Sequence, residues 1–202
     1  GGIPGSLAAL TTVTVPLRYW WPWFYEKSYV WTVGGPPPTP EAMSAQVAMR
    51  MAAPPSIVGY AWQWLAAINW TSLGWLERIA HPTLVISGDD DRLVPFANSL
   101  NLAIRIPNVR LFLARGEGHM LLFDPGSAAL AVLTDYFGAA TLAQAPVWRR
   151  LVKPESGDYR AAVRQRFGPG WAGAACAQAN LGLQRVLSIG LPRPLGGSFR
   201  RR

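Results

Sequence analysis

An α/β fold is what this sequence predicts: the closing part of a doubly wound parallel sheet, flanked by helices and preceded by a helical segment, with the sheet itself incomplete. Three observations carry that reading. Thr83-Leu84-Val85-Ile86-Ser87 is a continuous apolar, β-branched run, the pattern of a parallel strand covered on both faces. Val109 to Ala114, largely apolar apart from Arg110, reads as the next strand after a stretch with helical spacing. Each run ends in loop chemistry, with Gly88 and three aspartates after the first and Gly116-Glu117-Gly118-His119 after the second. The order strand, helix, strand, loop, helix is that of the end of a doubly wound sheet.

The elements follow in order. Residues 1–17 open with Gly/Pro turn chemistry and then become apolar. Residues 18–38 hold Trp20, Trp21, Trp23, Phe24, Tyr25, Tyr29 and Trp31 without a clean period, and Pro22 and Pro36-Pro37-Pro38 interrupt them. Irregular structure with short helical turns is expected there. Thr39-Pro40-Glu41 starts a helix, with a capping hydroxyl, Pro at the first position and then an acid. Met43, Val47, Arg50 and Met51 share one side of it, and Pro54-Pro55 stops it. Ser56 caps a second helix that is apolar nearly all round, so burial on more than one side, or a place beside a greasy pocket, is expected. Trp75 to Ile79 is a short helix leading into the first strand. Pro95 starts a helix with Phe96, Leu100, Ala103 and Ile104 on one stripe. Asp124-Pro125 starts the last one, with Gly138 as its stop.

Three regions result. Residues 18–75 form a helical cap and residues 76–138 the core strands and helices. Residues 139–202 form a basic, largely disordered tail that does not join the core. Charge supports the last boundary. Residues 1–138 hold 8 Lys+Arg against 9 Asp+Glu, net −1, whereas residues 139–202 hold 11 against 2, net +9. Such an asymmetry, with Gly and Pro recurring beyond Gly168, points to a region of different origin or role. Its arginines carry no nucleic-acid-binding motif, so no specific nucleic-acid partner is expected. No apolar run is long enough to span a membrane. The one cysteine, Cys176, excludes an internal disulfide and fits a reducing, cytoplasmic compartment.

The chemistry converges on the two strand ends. A carboxylate and an imidazole are presented there, acid before base, as on a sheet that carries a Ser-His-Asp triad. His119 has the glycine, the loop and the upstream acid that general-base work requires. Any of Asp89, Asp90 and Asp91 can serve as the acid, and the same three residues also read as a solvated strand-end turn capping the next helix. Their spacing suits no metal loop and no His or Cys converges on them, so neither metal nor cofactor is expected. His81 sits at the opposite strand end and reads as structural or solvated. The nucleophile of such a triad stands on a G-x-S-x-G elbow, and these 202 residues contain none. Ser6 lacks the strand–elbow–helix setting. The chain opens at Gly1-Gly2-Ile3-Pro4, so it is expected to be the C-terminal part of a longer protein with its nucleophile upstream of residue 1.

The stretch IVGYAWQWLAAINWTSLGWLERIAHPTLVISGDDDRLVPFANSLNLAIRIPN resembles the α/β-hydrolase family that includes intracellular medium-chain-length polyhydroxyalkanoate depolymerases. The likeness runs through W-T-S, P-T-L-V, G-D-D-D and R-I-P-N and covers about residues 1–138. One departure is Gly116-Glu117-Gly118, where the family has a more acidic run. The resemblance implies the C-terminal part of an α/β-hydrolase fold, Asp91 as triad acid and His119 as base. It further implies a serine ester hydrolase acting on hydrophobic acyl or polyester substrates. Eight of the ten tryptophans lie between residues 20 and 75. They read as the packed core of the cap, as an acyl-binding cleft, or as both, with Trp62, Trp64 and Trp70 as substrate-binding candidates. A non-catalytic binding or scaffold protein, or a truncated product, are the competing readings. The oligomeric state is not legible.

Overall fold

The computed structural model describes residues 2–168. Ser6 caps helix α1 (Leu7–Thr14), accepting a hydrogen bond from the Ala9 amide at 3.1 Å. A short 3-10 turn at Pro16–Tyr19 leads to α2 (Pro22–Val33), twelve residues of regular helix where irregular structure was expected. Pro22 does not interrupt this helix. It stands in its first turn, where a missing amide hydrogen costs nothing. The helical period was hidden because the buried stripe is Tyr25, Ser28, Tyr29, Thr32 and Val33, while Trp23 and Trp31 face out. Ser28 and Thr32 tolerate burial because their hydroxyls donate to the Phe24 and Ser28 carbonyls one turn back, at 2.6 and 2.8 Å.

Helix α3 (Pro40–Ala52) begins at the Thr39 cap, as its sequence predicts. Its Met43 and Val47 pack with Met120 on Tyr25, Tyr29 and Val33 of α2, and Gln46 accepts a hydrogen bond from the Tyr25 hydroxyl at 2.7 Å. Helix α4 (Ile57–Asn69) begins at the Ser56 cap. It departs from the expected all-round burial: Ile57, Val58, Trp62 and Leu65 are exposed and Tyr60 is buried. One face alone meets the rest of the described chain. There the Tyr60 hydroxyl and Trp64 Nε1 both donate to the Val13 carbonyl of α1.

Strands β1 (Thr83–Gly88) and β2 (Val109–Ala114) pair in parallel, Thr83 opposite Val109 and Gly88 opposite Ala114, and form the one sheet among the described residues. Helix α5 (Phe96–Ala103) connects them. The pair is covered on both faces, as the continuous apolar runs predict. Leu84, Ile86 and Phe112 pack on Val132, Ala145 and Val147; Val85 and Leu111 pack on the cluster of Leu73, Leu76, Ala103, Ile106 and Val109. Helix α6 (Ala128–Gly138) starts four residues later than Asp124-Pro125 suggests. Asp124 closes a turn onto the Gly126 amide at 2.9 Å, and Ser127 takes over as the cap.

The core does not stop at Gly138. Helices α7 (Pro146–Arg150) and α8 (Ser156–Phe167) are packed against it, so the expected separation of the tail fails for residues 139–168. Ala145 and Val147 are buried against Val132 of α6, and Tyr159 and Val163 are fully buried among Ile3, Ala97 and Leu100. Between the two helices the Val152 carbonyl accepts from the Leu111 amide of β2 at 3.3 Å. Charge averaged over the whole tail concealed this. A few apolar side chains at helical spacing suffice to dock each helix, and the arginines stay on the outer faces. Residues 169–202, with the rest of that expectation, lie outside the described residues. Limited trypsin digestion is expected to spare the bonds after Arg160, Arg164 and Arg166 on the timescale of core cleavage. Rapid loss of α8 would mean that its docking is transient.

Candidate active site

Gly88 ends β1, and the three aspartates that follow divide three tasks. Asp89 Oδ1 accepts from the Gly116 amide at 2.6 Å, which ties the loop after β1 to the loop after β2. Asp90 Oδ2 accepts from the Gly35 amide at 2.8 Å, which ties the same loop to the end of α2. Asp91 Oδ1 accepts from the Leu93 and Val94 amides at 2.9 and 2.7 Å. Its Oδ2 lies 2.9 Å from Nδ1 of His119. Asp91 thus closes the turn after β1 and holds the imidazole, but it does not cap the next helix: the N-cap of α5 is Pro95, with no side-chain cap, so that part of the alternative reading fails.

The Asp91 side chain is 9% exposed and that of His119 36%. A carboxylate only accepts, so this pairing assigns the proton to Nδ1 and leaves Nε2 as an acceptor. Nε2 makes no hydrogen bond among the described residues. The backbone of His119 is held too, its amide donating to the Val33 carbonyl at 2.9 Å. Glu117, one turn of the loop earlier, accepts from the Ala128 amide at 3.1 Å and from the Ser127 hydroxyl, anchoring the loop to α6.

Three backbones meet here with no room for a side chain. A Cβ on Gly34, which sits at φ +73°, would lie 1.8 Å from the Asp90 carbonyl oxygen. A Cβ on Gly118 would lie 2.3 Å from the Gly34 carbonyl oxygen, and one on Gly88 2.1 Å from that of Glu117. Gly118→Ala is therefore expected to lower stability by about 1–3 kcal/mol in urea unfolding, because backbone atoms must move apart to admit a methyl group. An unchanged midpoint would show that this junction is looser than its geometry implies.

A cavity of about 140 Å³ opens beside His119 and Met120. Its remaining walls are Tyr25, Ser28, Tyr29, Thr32 and Val33 of α2, together with Arg18, Arg50 and Leu93. Burial, with Tyr25 beside it, pushes the Tyr29 hydroxyl up to about 12, so it stays neutral in ordinary buffers. Trp62, Trp64 and Trp70 do not line this cavity. Trp62 and Trp70 are 67% and 62% exposed, and Trp64 is engaged with Val13. Nor are the tryptophans a packed core, since seven of the eight between residues 20 and 75 are exposed. Sequence reading missed Gly34-Gly35, for which a Gly pair at a helix end was an available signal, and Arg18 and Arg50, for which no local signal exists. Among the described residues no group of three His, Cys, Asp or Glu is placed to hold a metal ion, and no helix is long and apolar enough to cross a membrane.

A family profile described as the alpha/beta hydrolase fold matches residues 10–125, more than half of the chain. The chain belongs to the α/β-hydrolase fold family. Within it, the chain is 42% identical over 79 residues to a poly(3-hydroxyalkanoate) depolymerase of Ectopseudomonas oleovorans, covering 39% of this chain and 28% of the relative. It is 39% identical over 66 residues to a putative carbamate hydrolase RutD of Pseudomonas savastanoi pv. phaseolicola, covering 33% of this chain and 26% of the relative. The match thus spans little more than a quarter of either relative. The two-stranded parallel sheet agrees with an incomplete form of the family fold.

Proposed function

We propose that this chain carries the acid and the base of a serine ester hydrolase acting on hydrophobic acyl or polyester substrates. The observation that carries the reading is the Asp91–His119 hydrogen bond at 2.9 Å, with Nε2 unbonded. In that role Nε2 takes the proton of an attacking serine hydroxyl and returns it to the leaving alcohol. Asp91 holds the imidazole in the required tautomer and stabilises the imidazolium. No G-x-S-x-G stands among these residues, so serine and oxyanion hole come from elsewhere in the complete enzyme. Residues 18–75 act as its cap, with α2 as the part that reaches the base; Trp62, Trp64 and Trp70 could then contact only a substrate chain extending beyond the cavity. The depolymerase relative, named for a poly(3-hydroxyalkanoate), supports a polyester as the substrate class, and the single cysteine fits a cytoplasmic setting.

Two assays test this. The purified chain is expected to hydrolyse p-nitrophenyl octanoate no faster than its His119→Ala variant, because an acid–base pair without a nucleophile has nothing to activate. A chimera in which this chain replaces the matching portion of the depolymerase is expected to hydrolyse the ester. That activity should vanish with His119→Ala. A folded chimera whose rate ignores His119 would sink the proposal.

A further inference from the structure

The cavity beside His119 contains two guanidinium groups that nothing in the hydrolase reading uses. Arg18 and Arg50 both line it and both lie against the Tyr19 ring, their Cζ atoms 5.2 and 5.7 Å from its centroid. Arg50 also sits 4.5 Å over the Tyr25 ring. Neither has a carboxylate within ion-pair distance among the described residues. Arg18 makes one hydrogen bond, Nη2 donating to the Tyr60 oxygen at 3.4 Å, and Arg50 makes none to the described protein. The Nε atom of each is buried without a partner. Two like charges on one aromatic ring repel, and half-buried guanidinium donors left unbonded are costly. The tyrosine faces offset part of that cost and leave the donor forks unfilled. The nearby hydroxyls of Ser28 and Thr32 are committed to helix carbonyls, and Val33, Leu93 and Met120 supply an apolar wall.

A cationic pair with an apolar wall and no internal counterion is built to take an anion with a short hydrocarbon part. The guanidinium fork matches a carboxylate in two parallel hydrogen bonds. A cavity of about 140 Å³ that opens to the surface admits the end of an acyl unit. We infer that Arg18 and Arg50 form a carboxylate-binding subsite beside His119 that receives the free-acid end of a hydroxyacyl ester chain. The inference rests on the ester-hydrolase reading and adds to it a preference for substrates that carry a carboxylate near the bond to be cut.

The test needs no catalysis. Titration calorimetry on the full chain compares 3-hydroxybutyrate, its methyl ester and inorganic phosphate. The acid is expected to bind at least about tenfold tighter than the ester, from the charge-assisted bonds that the ester cannot form. That preference should shrink as salt is raised, disappear in Arg50→Gln and Arg18→Gln, and survive in part in Arg50→Lys, which keeps the charge but not the fork. Equal affinity for acid and ester overturns the subsite, as does a preference that persists in the double Gln variant. Phosphate binding tighter than the acid overturns the hydroxyacyl assignment. Should either Gln variant misfold, the wild-type comparison still decides. An inactive chimera would remove the hydrolase reading while leaving this measurement intact, and an active chimera with no acid preference would remove the subsite alone.

Discussion

In the chimera that supplies a nucleophile, Asp91→Asn is expected to lower kcat by about 10⁴-fold, the drop seen when a triad acid can no longer hold the histidine tautomer. The reason is local. Asp91 Oδ1 is occupied by the Leu93 and Val94 amides and Oδ2 faces Nδ1 of His119. An amide that keeps its oxygen on the backbone pair turns an NH₂ group toward Nδ1. The ring then accepts there and carries its proton on Nε2, where it cannot act as a base. Asp89→Asn and Asp90→Asn should behave differently. Their oxygens hold the Gly116 and Gly35 amides, so these variants are expected to lose stability while keeping kcat within about tenfold of the parent, because neither touches the imidazole. Steady-state hydrolysis of p-nitrophenyl octanoate by the three variants separates the roles. A similar loss in all three would mean that the loop as a whole, and not Asp91, sets the rate.

Tyr159→Ala is expected to destabilise the chain by about 3–5 kcal/mol, the usual cost of truncating a large buried aromatic side chain. Tyr159 is fully buried against Ile3, Ala97 and Leu100, which joins α8 both to α5 and to the first residues of the described chain. Chain length between these contacts exceeds 50 residues on either side, so the loss falls on the core itself and not on a local turn. A stability of 5–15 kcal/mol is typical of a whole domain, and this one substitution therefore removes a large share. Chain cut after Gly138 should fare worse, since Val147 and the β2-flanking Val152 leave with α8. Urea unfolding followed by Trp fluorescence measures the first effect. A midpoint shift worth under about 1 kcal/mol would show α8 to be an accessory that the core does not need.

The strands, and the loops that end them, were legible because their information is local. A run of five residues rich in β-branched side chains specifies an extended segment, and the Gly and Asp that follow specify where it turns. The same holds for the helix starts at Thr39 and Ser56, where one hydroxyl bonds an amide three residues on. That an aspartate and His119 meet at adjacent parallel strand ends could therefore be read from the sequence, while the choice of Asp91 among three aspartates came from the family resemblance. What could not be read were the choices made by packing. Composition marks Trp as interior and Ser as exterior, and α2 inverts both because hydroxyls satisfied within a helix can be buried while the described chain offers Trp23 and Trp31 no cover. The burial of α7 and α8 turned on a few apolar residues within a basic segment, which a net charge averages away. Arg18 and Arg50 stand 32 positions apart with no shared motif. They meet on Tyr19 because α2, α3 and the turn before them pack together, and contacts at that separation are decided by the tertiary fold, since no local hydrogen bond or period encodes them.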